Sequence, residues 1–149
     1  MPPPESRCPQ VRVFHAASLA AACVCRGHTG SVTSVSLPFA DTPSVLLTSS
    51  SDGHLRTFDA RAPAAAPSAT WAAPGRSALA CSSASCDGFS LAAGSESGDV
   101  YLWDRRVSGA GGGSSLRGVV ESAHADGVTA AAWHPRAPTV RDSRFHSCQ

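Results

Sequence analysis

"LAAGSESGDVYLWDRR" (Leu91–Arg106) repeats the pattern of "LLTSSSDGHLRTFDAR" (Leu46–Arg61) 45 residues later, with no gap. Gly53 falls on Gly98, Leu55 on Val100, Phe58 on Trp103 and Asp59 on Asp104. Each copy reads as two short strands around a tight turn. Asp52-Gly53 is a strong hairpin signal and Ser97-Gly98 a weaker one. A period of this length points to a repeat architecture, in which stacked units share a core that none could bury alone.

Working outward, "GHTGSVTSVSLPF" precedes the first hairpin and "AHADGVTAAAWHP" stands near the end of the chain. His28 matches His124, Val32 matches Val128, Val35 matches Ala131 and Leu37 matches Trp133. The alternation predicts a strand with Val35 and Leu37 facing inward. From His28 to His124 is 96 residues, two periods of 45 plus six. The surplus falls in "VSGAGGGSSLRG" (Val107–Gly118), whose composition predicts a flexible surface loop. "DARAPAAAPSATW" reads as a Pro/Ala connector leading into an outer strand near Ala69 to Ala72. "VRVFHAASLAAACVCRGH" reads as the last two strands of a preceding unit, with Phe14 where Phe58 and Trp103 stand later.

The bulk composition removes several functions. Net charge is +1 and 15% of residues are charged, which argues against a nucleic-acid binder held by phosphate contacts. All twelve basic residues are arginine, and there is no Lys, Ile or Asn. The six cysteines form no C-x-x-C pair. Cys23 and Cys25 followed by His28 are the nearest approach to a metal cluster, at the wrong spacing for common zinc sites. Reduced thiols in a cytoplasmic or nuclear protein are expected, with no metal and no cofactor. "LAAACVC" is far too short to cross a membrane. "MPPPESRCPQ" lacks the basic region and apolar core of a signal peptide.

Four-stranded units at this period, opened by Gly-His and closed by Trp-Asp, resemble WD40 repeats. The residues "RGH…SSSDGHLRTFD" and "AAGSESGDVYLWD" carry the resemblance, over about Gln10 to Pro138. It implies an all-β fold: an incomplete WD40 β-propeller with two full four-stranded blades and partial blades at both ends. The corresponding division is a Pro-rich tail (1–9), last strands of a partial blade (10–27), repeats at 28–72 and 73–106, a Gly/Ser-rich loop (107–118), the first strand of a truncated repeat (119–138) and a non-repeat tail (139–149). A propeller closes with about 4–8 blades. A truncated product of marginal stability is therefore expected, with the non-functional fragment as one alternative.

The resemblance also implies a structural hydrogen-bond relay, in which the histidine lies between the turn aspartate and a strand hydroxyl and an indole N–H donates to that hydroxyl. Residue by residue, the first repeat supplies His28, Thr48 or Ser50, and Asp52, with Phe58 at the Trp position. The second keeps Trp103 but has Ala73 and Ser97 at the histidine and aspartate positions, so neither relay is complete. A catalytic use of His28 and Asp52 is disfavoured: no nucleophile elbow accompanies them, since "GSESG" centres on Glu96, and no phosphate loop is present. His54, His134 and His146 have no partner at ligand spacing. Trp71 and Trp133 read as strand residues packing between or beside blades.

"FDAR" and "WDRR" both fit a W/F-D-x-R pattern, through Asp59 and Arg61 and through Asp104 and Arg106. This looks like the box by which WD40 proteins dock onto the adaptor of cullin–RING ubiquitin ligases. There the arginine is the contact residue, and its planar fork suits carboxylate or carbonyl recognition. Arg105 and Arg106 are thus the rim residues of interest. The expected function is a non-catalytic protein–protein interaction scaffold with other proteins, including such an adaptor, as partners.

Overall fold

The computed structural model describes residues 8–107 and 115–133. Strands β1 (Gln10–Phe14) and β2 (Ala21–Arg26) form an antiparallel pair. The two-residue strand β6 (Ala64–Ala65) joins β2 in parallel, giving a three-stranded sheet of order β1-β2-β6. The second sheet has the order β3-β4-β5-β7, from β3 (Val32–Ser36), β4 (Val45–Ser50), β5 (His54–Asp59) and β7 (Ala69–Ala72). The third contains β8 (Leu79–Ala84), β9 (Ser90–Ser95), β10 (Val100–Asp104) and β11 (Leu116–Val120), in that order. Both four-stranded sheets are antiparallel meanders.

The hairpins fall where the turn residues place them. Gly53 and Gly98 have φ of 78° and 92°, a region costly for residues with a Cβ. The surroundings are equally restrictive. A Cβ on Gly53 would lie 2.7 Å from the Arg76 backbone, and one on Gly98 2.2 Å from the His124 carbonyl oxygen. The predicted outer strand at Ala69–Ala72 is β7.

Apolar faces of the sheets stack on one another. Leu47, Leu55 and Trp71 of the second sheet meet Leu79, Leu91, Ala93, Tyr101 and Trp103 of the third, with Phe39 in the same core. A smaller core lies on the other side of the second sheet, where Leu46 and Phe58 meet Cys23, Cys25 and Ala65. Trp71 thus packs between sheets, as its sequence position predicts, and its indole N–H donates to the Val107 carbonyl at 3.3 Å.

Three local expectations are corrected. Val35 and Leu37 do not face inward but are 48% and 60% exposed. The first sheet covers Leu46 and Phe58 on β4 and β5 and leaves the β3 end of that face open. Phe14 is 54% exposed, because a bulge between Val13 and Phe14 shifts the register and leaves Val11 and Val13 to pack on the core. Third, β11 begins at Leu116, inside the stretch expected to be a loop (107–118), because Leu116 packs on the main core and the strand pairs with β10. Val119 and Val120, expected to open a further repeat at 119–138, instead end β11. Residues 121–133 contain no strand, although Val128 packs on Cys81 and Val100. The loop's centre (108–114) and the tail at 139–149 lie outside the described residues.

Candidate interaction site at the strand ends

The second sheet carries a buried polar network next to its hairpin turn. His28 enters from the β2–β3 loop, Thr48 from β4, Asp52 from the turn and Arg56 from β5. The His28 ring places Nδ1 3.1 Å from Asp52 Oδ2 and Nε2 2.7 Å from Thr48 Oγ1. Arg56 stands opposite Thr48 in the ladder, and its Nη1 donates to Asp52 Oδ2 at 2.7 Å and meets His28 Nδ1. The Asp52 carboxylate also accepts the backbone N–H groups of Thr29 and His54, each at 3.0 Å. Ser50, the alternative hydroxyl, turns away: it donates to the Gly30 carbonyl and accepts the Asp52 N–H.

One consistent assignment has His28 neutral, with its Nδ1 and Asp52 Oδ2 both accepting from Arg56 Nη1. His28 Nε2–H then donates to Thr48, and the Thr48 hydroxyl donates to the Arg56 carbonyl at 3.2 Å. Arg56 thereby completes a circuit that has Phe58, not an indole donor, at its end. Phe58 instead sets its ring 6.1 Å from the His28 ring. Burial pushes the His28 imidazole below its ordinary value, against the pull of Asp52 and with help from Arg56. Burial by itself would raise the Asp52 carboxyl. Arg56, the Thr29 N–H and His28 outweigh it and hold the group well below the usual carboxylate range.

The third sheet holds none of this. At the matching positions, 45 residues on, stand Ala73, Ala93, Ser97 and Tyr101. Ala73, Ala93, Tyr101 and Trp103 belong to the main apolar core, and Tyr101 and Trp103 set their rings 5.8 Å apart.

The two W/F-D-x-R segments form clasps at the ends of β5 and β10. Asp59 accepts the Arg61 backbone N–H at 3.1 Å and binds the Arg61 guanidinium through both oxygens. Arg61 brings the Asp59 carboxyl down to about 2. Asp104 repeats the arrangement, accepting Arg106 N at 3.0 Å, Nε at 3.0 Å and Nη2 at 2.8 Å. Arg117 of β11 adds a further bond to Asp104. Arg106 foremost, then Arg117, holds the Asp104 carboxyl well below the usual range. Asp104 is buried whereas Arg106 remains half exposed.

Arg105 is not a rim residue. Its guanidinium lies 3.9 Å from the centre of the Phe39 ring and donates to the Gly88 carbonyl at 3.3 Å and to Thr42 Oγ1 at 3.4 Å. It ties the β3–β4 connection to the third sheet. Arg105 was singled out by sequence for the rim and works elsewhere, whereas Arg56 and Arg117 were not singled out at all. The cross-strand position of Arg56 opposite Thr48 was the one readable signal.

Cys23 and Cys25 lie side by side on β2, with sulfurs 3.7 Å apart. Burial and the neighbouring thiol push Cys25 up to about 12. Among the described residues, no group of three or more His, Cys, Asp and Glu side chains is placed to hold a metal ion, and no helix is long and apolar enough to cross a membrane.

Residues 21–59 match the family model of the WD40 repeat, described as WD domain, G-beta repeat. The match runs from β2 through β5, so one sequence repeat takes its first strand from one sheet and the next three from another. Among solved structures, the chain is similar to one in a crystal structure of the mitotic checkpoint complex, with a TM-score of 0.69 and 23% sequence identity. The fold is that of an incomplete WD40 propeller. The likeness covers 86% of this chain, which spans only 36% of the matched one. No curated protein gives a significant sequence match.

Proposed function

We propose that the chain is a non-catalytic interaction scaffold of the WD40 class, acting through the strand-end arginines. The observation that carries this reading is the pair of D-x-R clasps. Arg61 and Arg106 occupy matching places on two successive sheets, each held in one orientation by its own aspartate and each exposed. Pre-orienting a flexible side chain lowers the entropy that a partner must overcome on binding. The pair nearest to a catalytic arrangement, His28 with Asp52, is buried and bonded into Arg56 and Thr48, which supports a structural role. The five described cysteines are free thiols, as suits the cytoplasm or nucleus.

A more specific role follows from the boxes themselves: docking onto the adaptor of a cullin–RING ubiquitin ligase as a substrate receptor. The order of features is similar to the N-terminal third of WD repeat-containing protein 89 and its plant relatives, with "FDAR", then a repeat lacking Gly-His and ending in "WDRR", then a Ser/Gly loop and "VVESAHADGVTAAAWHP". That resemblance supports a scaffold more than an activity. The test is recovery of the purified adaptor by wild type and by Arg106→Ala. The receptor role predicts strong loss in the variant, and equal recovery ends it.

A further inference from the structure

The two clasps are not equivalent. Asp59 meets one arginine, Arg61, which is 78% exposed and, among the described residues, is not stacked on an aromatic ring. Asp104 meets two. Arg106 and Arg117 share its carboxylate, with 58% and 44% of their side chains exposed. Arg106 also lies 5.0 Å from the centre of the Phe89 ring, itself 47% exposed. The difference originates in the outer strands. Thr57 pairs with Ala69 and the matching Leu102 pairs with Gly118, so the residue before the partner is Ser68 in one sheet and Arg117 in the other.

Asp104 engages Nε and Nη2 of Arg106 and Nη2 of Arg117. Among the described residues, the remaining N–H groups of both guanidiniums have no bonded acceptor. Asp87 lies close enough to Arg106 to temper its field, but forms no ion pair with it among the described residues. Its Oδ1 accepts the Ser85 hydroxyl and the Phe89 N–H. The result is two adjacent donor forks, fixed by one buried carboxylate, beside an exposed ring.

We propose that Arg106, Arg117 and Phe89 form a docking site for a partner polypeptide carrying a carboxylate side chain flanked by apolar residues. The carboxylate takes N–H groups from both guanidiniums, an arrangement suited to its two oxygens. The apolar neighbours cover Phe89, and water is withdrawn from the ion contacts. The inference rests on the strand-end arginines being contact residues, and it assigns the carboxylate-binding work to the second clasp alone.

The test uses the full chain labelled with ¹⁵N, following arginine Nε–H resonances during titration with N-acetyl-Leu-Glu-Leu-amide. The Gln and phosphoserine counterparts of the peptide serve as comparisons. The expected result is saturable shifts at Arg106 and Arg117 with none at Arg61, and binding of the Glu peptide about tenfold tighter than the Gln peptide, weakening with salt. Arg117→Gln and, separately, Phe89→Ser should each weaken it at least about fivefold, with unchanged backbone amide spectra showing that the fold persists. Equal binding of the Gln peptide, equal shifts at Arg61, or unaltered binding by both variants overturns the proposal. Tighter binding of the phosphoserine peptide overturns its choice of carboxylate. Adaptor recovery that depends on Arg106 but survives Arg117→Gln, with no peptide bound, leaves the receptor role standing and removes this site.

Discussion

The second and third sheets use the same hairpin register to reach opposite solutions. In the second, His28, Thr48, Asp52 and Arg56 close a buried polar circuit. In the third, Ala73, Ala93 and Tyr101 at the matching positions belong to the apolar core, and Ser97 replaces the aspartate at the turn. A buried ion pair repays its desolvation only when its geometry is good and its remaining hydrogens are satisfied. In the second sheet Arg56 supplies the counter-charge, and the Thr29 and His54 N–H groups fill the other acceptor sites of Asp52. The third has, among the described residues, no buried ion pair at these positions; Ser95, Ser97, Asp99 and Tyr101 share hydrogen bonds at its hairpin instead. The buried charged members, Asp52 and Arg56, are present together in one sheet and both replaced in the other.

Breaking one member should therefore give the largest effect. Asp52→Ala leaves Arg56 and His28 buried without their carboxylate and should cost about 3–5 kcal/mol in urea unfolding. Ser97→Ala at the matching place should change stability by only about 0.5 kcal/mol.

Acid should act next, first on the second sheet through His28 and, below about pH 4, on both sheets, because Asp104 is lowered as well. His28 has a lowered pKa, so the unfolded chain takes up its proton first. Its contribution is fully present above about pH 6.5 and declines as pH falls below that value toward the folded pKa. Asp52 is also lowered, and adds a steeper loss below about pH 4. Unfolding free energies measured from pH 7 to pH 3 should show both stages, and a profile flat below pH 6.5 would remove His28 from the account.

Arg105→Ala separates the joint between the sheets from their interiors. It removes a stacked guanidinium from Phe39 and a contact to Gly88, and should cost about 1 kcal/mol in the same assay. The smallest net change should come from the most extensive substitution. Moving the third sheet's set into the second (His28→Ala, Thr48→Ala, Asp52→Ser and Arg56→Tyr together) should leave stability within about 1 kcal/mol of wild type and remove the loss between pH 6.5 and 4. A large loss in the fourfold variant would show that the polar circuit does more than satisfy its own members.

The strands and turns were largely legible because they follow from short-range chemistry. Asp52-Gly53 and Ser97-Gly98 fix the hairpins, and the end of the Pro/Ala connector places β7 at Ala69–Ala72. His28 with Asp52 was legible as a pair because the repeat register aligns them with a familiar pattern. Arg56 was missed because arginine three residues past a turn reads as a solvent residue, and its partners depend on tertiary packing. Arg117 was missed for a different reason: it stands between Gly/Ser-rich chain and Gly118, where composition suggests a loop and pairing with β10 makes a strand. The inward reading of Val35 and Leu37 failed because alternation identifies a face but not what covers it.

The two-residue strand β6 has a consequence for the order in which the chain assembles. Its parallel pairing with Val24 and Cys25 joins residues about 40 apart, after β3, β4 and β5 have intervened. A contact that closes so long a loop with so few backbone bonds has low local stability and forms late. The Ala65 side chain of β6 packs in the same small core as Cys23 and Cys25. Those thiols are therefore natural reporters of partial opening: an uncharged alkylating reagent reaches them whenever β6 lifts, while the hairpins beyond remain intact. Their rate of modification measures the free energy of that one local event, separately from the unfolding of the sheets.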